Sequence, residues 1–214
     1  MMELAKKEIE IYLKNGIYPL IENYFGSTED CESVLDWMQR NHPEAIYGVN
    51  ILGDYPLAFE LAEKYGARFI QIDSVCGHLP QDMDEEYAEH LSLLRKTHPG
   101  ILLFGGVRFK YQQVRSGRNT VEDLLIGTQR CDAIVCTGTG TGKSTPFEKV
   151  EEFKEVLGDF PVIVGAGVTA KTACRTAEKA DGAIVGSWLK ESHRDYGTVN
   201  ESNVEVFMRE WKKT

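Results

Sequence analysis

The chain has 214 residues, 42% hydrophobic and 27% charged, a globular balance that suits one domain (residues 1–214) with a sizeable core. A formal charge of −9 argues against a nucleic-acid binder and against electrostatic docking on an anionic membrane. Five scattered cysteines without a CxxC argue against a disulfide framework or zinc ribbon, and no apolar run is long enough to cross a bilayer.

Met1 to Lys14 opens the chain as a charged amphipathic helix, with Leu4, Ile9, Tyr12 and Leu13 on one face, rather than as a signal peptide. A reducing cytoplasm is the natural setting. Short apolar runs then alternate with helical stripes. The strands are expected at Tyr18-Ile21, Ile46-Asn50, Phe69-Asp73, Ile101-Phe104, Ala133-Cys136, Val162-Val164 and Ala183-Val185. Between them run stripes such as Cys31, Leu35 and Met38, or Leu57, Leu61 and Tyr65. Helix starts are expected at Ser27 or Thr28, at Asn119-Thr120 and at Thr169, and ends at Gly16, Gly66 and Gly158. Val204, Phe207, Met208 and Trp211 mark a closing helix.

This alternation predicts an α/β fold, a TIM (β/α)8-type barrel with about eight helices but only about seven strands. A standard barrel begins with a strand, so the first strand is missing. A shortened gene product, a misplaced start codon, or an open barrel completed by another chain would each explain it. An open seam exposes edge strands, which predicts closure by self-association or by a rearranged segment.

In such barrels functional groups gather at the C-terminal ends of strands, and a phosphate site is commonly built by the last two loops. Gly165-Ala166-Gly167 follows the sixth predicted strand, and Gly186-Ser187 follows the seventh. Glycines leave amides open to a phosphate oxygen, and Ser187-Lys190 could start a short helix with its positive end on the anion. The same glycines would also serve tight turns. Glu22 and Asp73 are the acid/base candidates, because a carboxylate at a barrel mouth can be desolvated; a cap or salt bridge is the plainer role. Asn50 ends a strand, and Arg108 could pair with a carboxylate or phosphate.

The run Thr137 to Thr145 lacks the first glycine of a P-loop and reads instead as a flexible loop over the mouth. Thr137, Gly138 and Lys143 are its candidate ligand contacts. Cys76-Gly77-His78 is too sparse to predict a metal site, and no cofactor is expected. His42 and His98 precede prolines at the far end, where residues serve stability.

Ile21-Glu22-Asn23 with Phe25-Gly26, Gly48-Val49-Asn50, the Thr/Gly run before Lys143, Val164 to Thr169 and Ala180 to Ser187 together resemble the BtpA (BtpA/SgcQ-like) family of TIM barrels. The resemblance runs from about the first helix to Lys190. Its last Gly-rich pair is shared with phosphoribosylanthranilate isomerase and other ribulose-phosphate-binding barrels. The chain departs from the family at its start, where relatives carry a first strand ending in a His-Leu-Pro-rich segment. The resemblance implies a ribulose-phosphate-binding-like barrel and does not itself fix a reaction; with Glu22 or Asp73 as acid/base and Arg108 or Lys143 steadying negative charge, the expectation is isomerase or lyase chemistry on a small sugar or nucleoside phosphate. A non-catalytic assembly protein that retains the fold is the alternative.

Overall fold

The computed structural model describes residues 2–213. Strand neighbours follow chain order in one seven-stranded sheet: β1 (Leu20–Glu22), β2 (Gly48–Asn50), β3 (Phe69–Cys76), β4 (Leu102–Val107), β5 (Ala133–Cys136), β6 (Val162–Val164) and β7 (Gly182–Ala183). Helices alternate with them: α1 (Met2–Lys14), α2 (Thr28–Asn41), α3 (Tyr55–Tyr65), α4 (Gln81–Thr97), α5 (Thr120–Arg130), α6 (Phe147–Leu157), α7 (Ala170–Lys179) and α8 (Glu201–Trp211). Seven strands and eight helices in this order make a TIM-type β/α fold among the described residues. No helix among them is long and apolar enough to cross a membrane.

The residues group into two compact units. One holds the chain up to Ile72 with Tyr87–Phe104; the other holds Asp73–Glu86 and the chain from Gly105 onward. In the first unit β1 and β2 pair in parallel, Leu20 opposite Gly48 and Glu22 opposite Asn50. The Phe69 ring fills the space above Gly48 and stacks on Phe104 at 4.8 Å. Leu35, Met38, Val49, Phe59 and Ile70 are fully buried around them.

Helix α2 starts in a capping box. Ser27 Oγ accepts from the Asp30 amide at 3.1 Å, and Asp30 Oδ2 accepts from the Ser27 amide at 3.0 Å. Helix α3 ends at Gly66, whose φ of 74° is left-handed. Two histidines are held at helix ends: His42 meets Glu10 at 2.9 Å, and His98 meets Glu63 at 2.9 Å and stacks on Phe59.

In the second unit β5, β6 and β7 pair in parallel over a core that includes Leu124, Ile134, Val150, Phe153 and Val162. A second capping box, Asn119 with Glu122, starts α5. Strands β3 and β4 run three residues beyond their predicted ends, to Cys76 and Val107, so Asp73 lies within β3 rather than at its tip. Glycine explains the extension. Gly105 and Gly106 let β4 press close: a Cβ at 105 would lie 2.7 Å from Val75, and one at 106 would meet the Asp73 carbonyl. Strand β7 is shorter than predicted and stops at Ala183.

Candidate functional site

Three loops of the second unit leave their strands at one level. Cys136 is in register with Val164, and Val164 with Ala183. The ladder runs one step further, with the Gly165 amide donating to the Cys136 carbonyl at 2.8 Å and the Ile184 amide to the Val164 carbonyl at 2.9 Å. Gly165 is therefore a strand-end residue whose amide is engaged. A side chain there would run into Val135, at 2.5 Å.

The loop after β5 touches both glycine turns. Gly167 has a φ of 70°, and a Cβ on it would strike the backbone of Lys143 and Ser144. Gly142, the residue before Lys143, lies against Ser187: a Cβ at 142 would sit 3.6 Å from Ser187 Oγ. Adjacent residues of one loop thus contact the β6 turn and the β7 turn. Residues Ser187–Leu189 form a single 3-10 turn, closed by the Leu189 amide on the Gly186 carbonyl at 3.0 Å. The amides of Gly167, Gly186 and Ser187 have no intrachain acceptor among the described residues. Unengaged amides on neighbouring turns form the kind of concavity that holds an anion.

That loop is pinned at its neck. Thr137 is fully buried; its Oγ1 accepts from the Lys110 amide at 2.8 Å, and its carbonyl accepts from Lys149 Nζ at 2.7 Å. Gly138 faces the Ser144 carbonyl, where a Cβ would come within 2.7 Å. Thr145 Oγ1 donates to the Ala166 carbonyl at 3.0 Å. Thr137 and Gly138 therefore shape the loop, while Lys143 is exposed. Tyr111, from the loop after β4, accepts the Thr141 amide on its Oη at 2.7 Å. That bond, with Lys110 and Lys143 nearby, holds the Tyr111 phenol below its ordinary pKa. Behind Gly167, Ser144, Thr145 and Thr172 help line a crevice of about 20 Å³, room for one water and far too small for a metabolite.

Arg108 has a φ of 50°, and its guanidinium is taken up inside the protein. Its Nε donates to Asp123 Oδ2 at 3.0 Å, and its terminal nitrogen to the Arg118 carbonyl at 2.6 Å. Asp123, wholly buried, also accepts from Arg118 Nε at 2.9 Å and Ser116 Oγ at 3.1 Å. Arg118 and Arg130 both reach Asp84, Arg130 through two nitrogens at 2.6 and 2.9 Å. Burial alone would raise the Asp84 carboxyl, but the hydrogen bonds from Arg130 and Arg118 hold it below its ordinary pKa. Burial pushes the adjacent Cys76 thiol up to about 11, which keeps it neutral. Of this network the sequence offered only Arg108 as a possible partner of a carboxylate; Asp84, Arg118, Asp123 and Arg130 were not singled out, because they meet only through the fold. Among the described residues no group of three His, Cys, Asp or Glu side chains is placed to share a metal ion.

In the first unit, Glu22 and Asn50 end their strands directly opposite one another. Their side chains therefore share a face, and Asn50 Nδ2 donates to Glu22 Oε1 at 2.9 Å. Asn50 is buried and Glu22 exposed.

The profile of the BtpA family matches residues 34–213. The chain belongs to the BtpA family. Among relatives of this BtpA-family chain, an uncharacterised protein of Thermococcus kodakarensis is 34% identical, with 74% of this chain and 60% of that protein covered. One of Methanocaldococcus jannaschii is 31% identical, with 67% and 56% covered. The chain spans about three fifths of the length of these curated relatives. The photosystem I biogenesis protein BtpA of a Synechocystis strain is 24% identical, with 94% of this chain and 75% of that protein covered. Among solved structures, phosphoribosyl anthranilate isomerase from Thermococcus kodakaraensis aligns with a TM-score of 0.66 at 15% identity, covering 97% of this chain and 94% of that one. Thiamine phosphate pyrophosphorylase from Pyrococcus furiosus aligns at 0.65 and 13% identity, covering 97% and 89%. At such identities the likeness establishes the TIM-type fold.

Proposed function

We propose that this BtpA-family chain binds a small phosphorylated metabolite, a sugar or nucleoside phosphate, and acts on it by acid/base isomerase or lyase chemistry in the cytoplasm. The phosphate rests on the amides of Gly167, Gly186 and Ser187, with Lys143 adding a positive charge from above. One observation carries the reading: Gly142 packs on Ser187 while Lys143 and Ser144 pack on Gly167, so a single loop reaches both turns. The names of structural neighbours, two of which act on phosphorylated compounds, agree with it.

Proton transfer is assigned to the strand-borne carboxylate Asp73, which belongs to the same unit as the glycine turns; Glu22, the other carboxylate expected from the sequence, is paired with Asn50 in the first unit. The base takes a proton from carbon beside a carbonyl, and Lys143 is assigned to steady the negative charge that develops on oxygen. Arg108 is excluded from direct ligand contact in this proposal, because Asp123 and the Arg118 carbonyl occupy it.

Thermal shift with a panel of sugar phosphates, nucleoside phosphates, inorganic phosphate and sulfate tests the binding. A ligand at 100 times its Kd stabilises by about 2.7 kcal/mol, or roughly 5–10 °C for a chain of this size. Any turnover found with a stabilising compound should vanish in Asp73→Asn while the shift remains; turnover retained in that variant removes this carboxylate from the mechanism.

A second reading, a non-catalytic assembly protein that associates through an edge strand, is favoured by the biogenesis role in the name of the Synechocystis relative. It predicts no shift with any phosphate and a dimer or larger species in light scattering.

A further inference from the structure

Tyr111 is 74% exposed, yet its hydroxyl is committed to the backbone of a different loop. It also sits at a φ of 65°, a left-handed conformation that bulky side chains rarely adopt. An exposed aromatic held in that conformation needs a reason, and such outliers collect at clamps and switches.

The reason is visible on the loop it touches. The Thr141 amide donates to Tyr111 Oη at 2.7 Å. Gly140, the residue before, is buried beneath the phenol: a Cβ there would lie 2.9 Å from Oη. The next residues, Gly142 and Lys143, are those that contact Ser187 and Gly167. Tyr111 therefore grips the loop one residue ahead of its contacts with the two glycine turns. Between its pinned ends, at Thr137 and Thr145, this is the single side-chain hydrogen bond to the loop from another element among the described residues.

We infer that Tyr111 is a latch: its hydroxyl holds the Thr137–Thr145 loop down over the Gly167 and Gly186-Ser187 turns, and its release opens that loop to admit or discharge the anion. The inference rests on the anion reading for what the loop covers, but the latch contact stands apart from it. Tyr111 is a positioning residue in this scheme and touches no reacting atom. Gly140 is glycine so that the phenol can close on the backbone.

Limited proteolysis by trypsin separates the two ideas, because Lys143 lies exposed in the latched loop. Cleavage after Lys143, followed by mass of the released fragments, reports loop opening. Tyr111→Phe removes the acceptor, and Gly140→Ala pushes the ring away from the other side. Each should speed cleavage at Lys143 about three- to tenfold, the loss of one hydrogen bond, with other sites and the melting temperature unchanged. Inorganic phosphate should protect Lys143 in the native protein and protect it less in both variants. Equal cleavage at Lys143 in all three proteins overturns the latch. Faster cleavage in the variants with no protection by phosphate in any protein leaves the contact real but overturns its role in anion binding.

Discussion

Asp123 anchors the buried ion-pair network of the second unit. It is wholly buried and accepts from Arg108, Arg118 and Ser116, while Gly77, at a φ of 89°, leaves it room: a Cβ there would come within 3.0 Å of Asp123 Oδ2. Asp123→Asn would leave Arg108 without its carboxylate partner and Arg118 with Asp84 alone, and urea unfolding should show a loss of about 3 kcal/mol. Asp84 supplies a pH dependence. Its folded pKa lies below that of the unfolded chain, so its stabilisation is complete above roughly pH 5 and is lost as pH falls through the folded value. Asp84→Asn should therefore lower stability at neutral pH and flatten the acid limb of the stability curve. In the sequence, Asp123 reads as one more acidic residue in the first turn of a helix. What turns it inward is its encounter with Arg108 and Arg118, and no local pattern encodes that encounter.

Among elements, the helix starts were the most legible, because a cap is a local device. Ser27 and Asn119 both form capping boxes, and Ser27→Ala or Asn119→Ala should each cost about 1 kcal/mol in thermal unfolding. Strand lengths were less legible. Polar Asp73 and Ser74 suggested an end to β3, but Gly105 and Gly106 bring β4 close enough to carry β3 on to Cys76. The two glycines at 165 and 167 look alike in sequence and differ in the fold. Gly165 commits its amide to Cys136, whereas Gly167 turns its backbone against Lys143. Gly167→Ala meets both a left-handed φ and the facing backbone, so it should lose roughly 2 kcal/mol or more and displace the loop after β5.

For the whole molecule, periodicity alone carried the fold class, since alternating apolar runs and helical stripes repeat regardless of contact detail. The seven strands in chain order and the family match agree with that reading. The site was legible only in outline. Sequence order placed the glycine turns last, but register between β5, β6 and β7 sets their loops side by side. A titration of inorganic phosphate followed by phosphorus NMR, comparing the native protein with Gly186→Asp, tests the anion site most directly. Apart from Gly186 and its two chain neighbours, no residue has an atom within 4 Å of a Cβ added there, so that variant should fold normally while presenting a carboxylate to the amides. Saturable broadening or shift of the phosphate signal with the native protein, abolished in the folded variant, is the expected result. No perturbation with the native protein, or an unchanged response in the variant, would contradict it.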